Sequence, residues 1–114
     1  MAIRRAAVLS LLAMALLSSG AGVVHAEEAA VKIGNFTFDP PVLKVKAGTV
    51  VTWTNDDDIP HTIAAADRSF KSKPLDTNEK YFATFSTPGR FTYFCSLHPQ
   101  MKATIIVEGA ASRK

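Results

Sequence analysis

Apolar and polar residues alternate with a period of two along most of the chain, which is the pattern of β-strands buried on one face. The clearest segment is 102–108, where alanine, isoleucine and valine occupy every second position. Similar segments are 31–38, 43–46, 51–54 and 91–95. Turn residues separate these segments, and none of them has a long helical period. We therefore predict an all-β fold, either a two-sheet antiparallel sandwich or a flattened barrel.

Two further groups of residues have simple structural interpretations. Residues 66–80 contain many charged residues and a proline, and we expect a solvated loop there and a solvated turn at the three aspartates 56–58. Five large aromatic residues are expected in the core; they are Phe36, Phe38, Trp53, Phe85 and Phe91. The charges of these aspartates and of the lysines at positions 71, 73 and 80 do not identify a binding partner.

Residues 1–26 have the three-part pattern of a secretory signal peptide. Two arginines precede an apolar run over 6–17, and the small residue Ala26 stands before a cleavage point. The run is shorter than the roughly 20 residues that a membrane-spanning helix needs, so we predict cleavage after Ala26 and no membrane anchor. Residues 27–114 then form the single domain that we expect in a bacterial periplasm. General secretion and the twin-arginine pathway both stay open as export routes.

The composition limits the classes of function. The chain has 114 residues, of which 47% are hydrophobic and 20% charged, as expected for one globular domain. Its net charge is +3, but without residues 1–26 there are 11 basic and 10 acidic residues, which leaves +1. This near neutrality argues against nucleic-acid binding. The single cysteine, Cys95, cannot form an internal disulfide, and an exported thiol needs burial or a partner other than cysteine.

The strongest chemical signal is a group of soft metal ligands. Cys95, His98 and Met101 follow one another at intervals of three residues, and His61 lies 34 residues before Cys95. We expect a loop between the strand ending at Cys95 and the strand 102–107 to gather the first three, with His61 brought in from the end of a neighbouring strand. Two imidazoles, a thiolate and a weak axial thioether are the ligands of a type 1, or blue, copper site. We therefore predict one copper ion bound by these four residues.

With these residues the chain resembles the cupredoxins, and among them the amicyanins and plastocyanins. The spacing Cys-x2-His-x2-Met, with Pro99 directly after the histidine, is similar to the short ligand loop of amicyanin. The segments 51–55 and 60–63 also look like amicyanin, and the similarity spans most of residues 31–108. The resemblance implies a cupredoxin-like Greek-key sandwich of about seven or eight strands for this chain.

The resemblance also implies a role for each ligand. His61, Cys95 and His98 are then the equatorial copper ligands and Met101 is the axial one. Family members commonly have asparagine after the first histidine, where this chain has Thr62. We expect the Thr62 hydroxyl to make a similar hydrogen bond between the two ligand segments. The edge of His98 is expected to reach the surface within an apolar patch; its members are Leu97, Pro99 and Pro60.

The predicted function is one-electron transfer by a small periplasmic blue copper protein, which is not an enzyme. Its partners are expected to be a redox donor and acceptor, such as a c-type cytochrome or a periplasmic dehydrogenase, that bind a monomer transiently. The alternative is a periplasmic copper-handling protein, although handling sites are usually rich in methionine or histidine. A zinc site leaves Met101 without a role, and a Cys–His nucleophile explains neither Met101 nor His61. A third possibility is an adhesion or scaffold domain in which the motif has no function.

Overall fold

The computed structural model describes residues 27–109, which form eight strands. In chain order the strands are β1 (Glu28–Gly34), β2 (Thr37–Asp39), β3 (Val42–Lys46), β4 (Thr49–Asn55), β5 (Ala64–Ala65), β6 (Lys80–Phe85), β7 (Gly89–Cys95) and β8 (His98–Glu108). This part of the chain contains no helix, and hence none with the length and hydropathy to cross a membrane. The predicted signal peptide, residues 1–26, lies outside the described residues, as do residues 110–114.

The strands form two four-stranded sheets. One sheet has the order β2-β1-β4-β6 and the other has the order β3-β8-β7-β5, so the predicted all-β sandwich is confirmed. The sheets are mixed rather than antiparallel throughout, because β1 pairs with β4 in parallel and β3 pairs with β8 in parallel. Alternation along a strand indicates which face is buried but not the direction of the neighbouring strand. The sequence pattern therefore does not reveal the parallel pairs.

The core lies between the sheets and is filled by alternate residues of the strands. Strand β4 is the clearest example, because Val51, Trp53 and Asn55 are fully buried while the residues between them are partly exposed. Val31 and Ile33 of β1 pack in the same core. Burial of an aliphatic side chain of this size contributes about 1.5–3 kcal/mol. The residues that alternate as apolar positions in the sequence are thus the ones that the two sheets bury.

The aromatic residues follow the prediction with one exception. Phe38, Trp53 and Phe85 are buried, and Phe91 is half-buried against the same core. The prediction for Phe36 is wrong, because its side chain is 47% exposed. Phe36 lies in the two-residue turn between β1 and β2, where its φ is 60°. A turn at the end of two paired strands leaves the core, so the hydrophobicity of this residue alone is misleading.

The predicted loop at 66–80 is irregular and mostly exposed, but β6 begins at Lys80, and Ser72 and Leu75 are buried. Between β5 and β6 the backbone pairs with other segments at two isolated bridges, His61 with Leu75 and Ala64 with Lys71. These bridges hold the segment against the start of β5. The first bridge also fixes the backbone of His61.

The connection between β7 and β8 is shorter than predicted. We expected a loop from Cys95 to residue 102, but β8 begins at His98 and only Ser96 and Leu97 connect the strands. Pairing of β7 with β8 continues as far as Cys95 and His98, with a register shift just before Cys95. Continued strand pairing satisfies the backbone hydrogen bonds that a long loop would leave to water. The predicted ligands of this segment are therefore carried by paired strands.

Candidate metal centre

Three of the four predicted ligands meet where β4 and β7 end and β8 begins. His61 follows β4, Cys95 is the last residue of β7, and His98 is the first residue of β8. One ligand atom from each residue, two imidazole nitrogens and the cysteine sulfur, lies within 4.8 Å of the others. His61 and Cys95 are fully buried and His98 is half-buried. The centre is thus enclosed on its inner side and approaches the surface at His98.

The distances fit a single metal ion. The Cys95 Sγ lies 3.7 Å from Nδ1 of His61 and 3.7 Å from Nδ1 of His98. Metal–sulfur bonds of about 2.3 Å and metal–nitrogen bonds of about 2.0 Å, at angles of about 110–120°, separate sulfur and nitrogen by about 3.5–3.8 Å. Both sulfur–nitrogen distances therefore match those expected for ligands of one shared ion.

Met101 lies three residues beyond His98 in β8 and is 4% exposed. Its side chain belongs to the same buried cluster as Cys95. A buried methionine often fills a core, and its thioether is also a soft ligand that suits copper. The structure thus brings three predicted ligand atoms together and places the fourth residue in the adjoining core.

Thr62 connects the two segments that carry the candidate ligands. Its hydroxyl oxygen accepts a hydrogen bond from the Ser96 N–H at 2.7 Å and lies 2.8 Å from the Ser96 Oγ. Its own N–H donates to the Cys95 Sγ at 3.4 Å. The hydrogen bond predicted from the sequence for this hydroxyl is therefore confirmed, and it joins residues 34 positions apart.

The surroundings of Cys95 favour the thiolate over the thiol. Burial raises the pKa of the thiol, but the N–H of Thr62 and the imidazoles of His61 and His98 lower it further than burial raises it. The net result is a fall in the pKa of Cys95 from 9.0 to about 6. Since the thiolate is the form that binds metals, Cys95 is prepared for metal binding at neutral pH.

The segment that leads from β4 to His61 is held by Asn55. The buried Nδ2 of Asn55 donates to the carbonyl oxygens of Ile59 at 2.9 Å and Leu75 at 2.8 Å, and its Oδ1 accepts from the Asp57 N–H at 2.9 Å. The backbones of His61 and Leu75 exchange two hydrogen bonds of 3.1 and 2.7 Å. A fully satisfied buried amide of this kind fixes one loop conformation. Hydrogen bonds within the protein are therefore sufficient to position the His61 segment.

Asp57 is a residue of the centre that the sequence analysis missed, since it was placed with the solvated aspartates. Its Oδ2 lies 2.8 Å from Nε2 of His61, and its side chain is 16% exposed. A histidine that binds metal through Nδ1 carries its proton on Nε2, and a carboxylate is a common acceptor for that proton. The only sequence signal is a spacing of four residues, which fixes a distance in a helix but not in a loop.

Hydrogen bonds to the carboxylate keep Asp57 charged. The Phe36 N–H lowers the pKa of the Asp57 carboxyl most strongly; partial burial opposes this effect, and the Asn35 N–H and the His61 ring lower the pKa again. The pKa therefore lies below its ordinary value. Asp57 is a fixed negative charge beside His61 at neutral pH.

Phe36 is the second residue of the centre that the sequence analysis assigned elsewhere. Its ring packs edge-on against the imidazoles of both His61 and His98. The nearest sequence signal is its neighbour Asn35, which marks a turn but does not indicate where the turn lies relative to the histidines.

These observations define a class of protein, because a two-sheet β-sandwich with an enclosed centre of one cysteine and two histidines is the architecture of type 1 copper proteins. A family model for the cupredoxin-like domain matches residues 7–107. The chain belongs to this family, as its resemblance to the amicyanins and plastocyanins predicted. Its cofactor is one type 1 copper ion, and the donor set described above fits that ion.

Individual relatives agree with the family assignment. Amicyanin-alpha of Methylorubrum extorquens is 35% identical over 83 residues, which cover 68% of this chain and 70% of that protein. Plastocyanin of Scenedesmus fuscus is 33% identical over 91 residues, which cover 66% of this chain and 90% of that protein. Among solved structures, a purple cupredoxin from Nitrosopumilus maritimus has a TM-score of 0.68 and 33% identity, covering 70% of this chain and 99% of that chain.

Proposed function

We propose that this protein is a one-electron carrier in which His61, Cys95 and His98 are equatorial copper ligands and Met101 is the axial ligand. The observation that carries the proposal is the equal 3.7 Å separation of the Cys95 sulfur from the two Nδ1 atoms in an enclosed site. When bound, copper supplies a one-electron couple between Cu(II) and Cu(I). Amicyanin and plastocyanin are electron carriers, which supports the same function for this relative.

The protein residues are arranged for electron transfer with little rearrangement. The Thr62 N–H bonds to the cysteine sulfur, and the Asn55 network holds the segment of His61. Burial of His61 and Cys95 excludes water from the inner side of the centre. Ligands that the fold already holds in place move little when the charge of the ion changes, so the barrier to transfer stays low.

Electrons are expected to enter and leave at His98. It is the half-buried member of the set, and its neighbour Leu97 is 50% exposed. Pro60 and Pro99 are also exposed. A small apolar surface of this kind favours brief contacts, which a carrier needs in order to release each partner. The partners we propose are a redox donor and acceptor, such as a c-type cytochrome or a periplasmic dehydrogenase, that dock on this surface.

The visible spectrum of the copper-loaded protein tests this function. We expect an intense thiolate-to-copper band that mild reductant bleaches and that Cys95→Ser abolishes. The matched control is Ser96→Ala, which changes the neighbouring residue but leaves the candidate ligands and should keep the band. A colourless protein that binds copper tightly would instead support copper handling, and absence of copper binding would exclude both functions.

We also propose that the protein works in the periplasm after removal of residues 1–26. The basic start, the apolar run and the small residue Ala26 support this location. Expression of the full chain in a bacterium, followed by intact-mass analysis of the periplasmic fraction, is the test. The expected mature protein begins at Glu27, and a cytoplasmic protein of full length would contradict the proposal.

A further inference from the structure

The turn between β1 and β2 has an unusual backbone next to the metal centre. Gly34 pairs with Thr37, so Asn35 and Phe36 alone form the turn, with φ angles of 52° and 60°. Positive φ at both positions is typical of a type I′ turn, where asparagine and glycine are common and an aromatic residue is not. Strained backbone at a functional site points to a role for the side chain that is held there.

The Phe36 side chain contacts both histidines of the centre. Its ring centroid lies 5.7 Å from that of His61 and 5.0 Å from that of His98, with interplanar angles of 87° and 88°. Edge-to-face contacts at these distances are favourable between aromatic rings. Since the Phe36 side chain is also 47% exposed, it stands between the two imidazoles and solvent.

One carboxylate holds both this turn and the His61 ring. The Asp57 Oδ1 accepts from the Asn35 N–H at 2.6 Å, and its Oδ2 accepts from the Phe36 N–H at 3.0 Å and lies 2.8 Å from Nε2 of His61. The backbone of Asp57 is itself fixed, because its N–H is bonded to Asn55 and its carbonyl accepts from the Thr77 hydroxyl at 2.6 Å. The carboxylate thus has three hydrogen-bond partners, and the fixed backbone of Asp57 keeps it in the position where it reaches all three.

We propose that Asp57 is a positioning residue of the copper centre, which orients His61 directly and His98 through the turn that presents Phe36. The proposal rests on the proposed function, since it takes both histidines as copper ligands. Within residues 27–109, the His98 ring has a hydrogen-bond contact only with the Cys95 Sγ. Phe36 therefore supplies the packing that limits rotation of the outer ligand, and Asp57 keeps Phe36 in its strained position.

The proposal predicts a defined effect on copper binding. A carboxylate bonded to the far nitrogen of a histidine makes the ring a stronger ligand, and losing such a partner typically lowers metal affinity by about 10–100-fold. The negative charge favours Cu(II) over Cu(I). A loss of affinity that is tenfold greater for Cu(II) than for Cu(I) raises the reduction potential by about 59 mV.

Nuclear magnetic resonance of the metal-free wild-type protein tests the arrangement without copper. We expect a slowly exchanging proton on Nε2 of His61 and close contacts between the ring protons of Phe36 and His98. An Nε2 proton that exchanges at the rate of free imidazole, or a Phe36 ring without contact to His98, would overturn the proposal.

Asp57→Asn tests the positioning role in the copper-loaded protein. Asparagine has one carbonyl oxygen for three donors and turns an amide N–H toward one of them, so the turn and His61 cannot both be held. The matched control is Asp58→Asn, which removes the same charge from a neighbouring exposed residue. We expect a potential shift of tens of millivolts and a 10–100-fold loss of Cu(II) affinity, about the size given for lost ligand partners, in Asp57→Asn alone. Equal shifts in both variants would leave only a charge effect and would refute positioning.

The role of Phe36 has its own pair of variants. Phe36→Gly suits the positive φ and removes the ring, so we expect unchanged or higher stability of the metal-free protein but faster loss of copper to a chelator. Phe82→Gly is the control, because it removes another exposed aromatic ring, from β6. Since Asp57 acts on His98 through Phe36, the effects of Asp57→Asn and Phe36→Gly on copper loss should be less than additive. Full additivity would contradict this coupling.

The two proposals fail in distinguishable ways. Wild-type protein without a thiolate-to-copper band would speak against the electron carrier, and the metal-free resonance measurements would still decide whether Asp57 joins Phe36 to the histidines. A blue wild-type protein whose Asp57→Asn and Asp58→Asn variants behave alike would leave the function intact and reject the positioning role.

Discussion

The two histidines of the centre are chemically identical side chains in unlike surroundings. His61 is fully buried, and its backbone N–H and carbonyl both form hydrogen bonds with the backbone of Leu75. Its Nε2 lies within hydrogen-bond distance of Asp57. His98 is half-buried, and the residue before it, Leu97, is 50% exposed. The fold thus encloses one candidate ligand and leaves the other near the surface.

This difference indicates a division of roles within one site. A buried ligand with its own hydrogen-bond network resists exchange and keeps the geometry of the centre. A ligand near the surface shortens the distance to a docked protein. In the proposed carrier, His61 therefore keeps the metal firmly bound and His98 gives electrons access to it.

Replacing each histidine by alanine is the strongest test of the comparison. In the metal-free protein we expect His61→Ala to lower the free energy of unfolding by about 3–5 kcal/mol, since it leaves a cavity in a buried network. His98→Ala should lower it by about 1 kcal/mol, because the ring is partly exposed. Urea unfolding measures both values. Added imidazole should restore the blue band in His98→Ala but not in His61→Ala, and equal rescue would contradict the difference in accessibility between the two positions.

The sulfur between the two histidines makes stability depend on pH. The folded metal-free protein has a Cys95 pKa of about 6, lowered from 9.0. Between these values the unfolded chain binds the proton and the folded chain does not, so stability rises as pH rises from 6 to 9 and is lost as pH falls through 6. At about 1.4 kcal/mol per pKa unit, the full rise is at most about 4 kcal/mol. Urea unfolding under reducing conditions measures it.

The control for this pH effect is Cys95→Ser, because the serine hydroxyl does not ionise between pH 6 and 9. We expect its stability to change much less between pH 6 and 9. A rise of the same size in both proteins would assign the effect to another group.

Thr62→Val tests the hydrogen bond that joins the segment of His61 to the segment of Cys95 and His98. Valine keeps the shape but removes the hydroxyl that accepts from the Ser96 N–H. This hydrogen bond is partly buried, so its loss should lower the free energy of unfolding by about 1 kcal/mol. Ser96→Ala is the control, because it removes only the contact between the two hydroxyls and should have the smaller effect. Thermal unfolding of both variants decides this, and equal losses would assign no special role to the backbone hydrogen bond.

Leu97→Ser should have the smallest effect on stability, within about 0.5 kcal/mol, since the side chain is half-exposed. It should nevertheless slow electron exchange with a redox partner, because it makes the surface beside His98 polar. Val42→Ser is the matched control, since Val42 is 52% exposed in β3. Stopped-flow measurement of electron transfer compares them, and equal rates in both variants would argue against docking at His98.

The local features of this protein are readable from its sequence. Alternation predicts the strands, as in β4, where every second side chain is buried. The close spacing of Cys95 and His98 predicts that they lie together, because two residues between paired strands cannot separate them far. The Thr62 hydrogen bond was also predictable, since the residue adjoins His61 and the resemblance indicates a link at that position.

Other features needed the folded chain. Phe36 looks like a core residue from its hydrophobicity, and Asp57 looks like one of three solvated carboxylates. Both are placed by contacts across long separations, since Asp57 bonds to residues 21 and 22 positions away. Hydrophobic period and local spacing contain no information on such contacts.

Residue type and local spacing were enough to predict most of the strands, most of the core and the candidate copper ligands, but not strand β6 or the exposed position of Phe36. The parallel pairing of β1 with β4 and of β3 with β8 became visible only in the folded chain. Tertiary structure also decided which residues surround the histidines, so that Asp57 and Phe36 became neighbours of His61. The physical reason is that direction, register and orientation across the sandwich are set by how the two sheets pack as a whole.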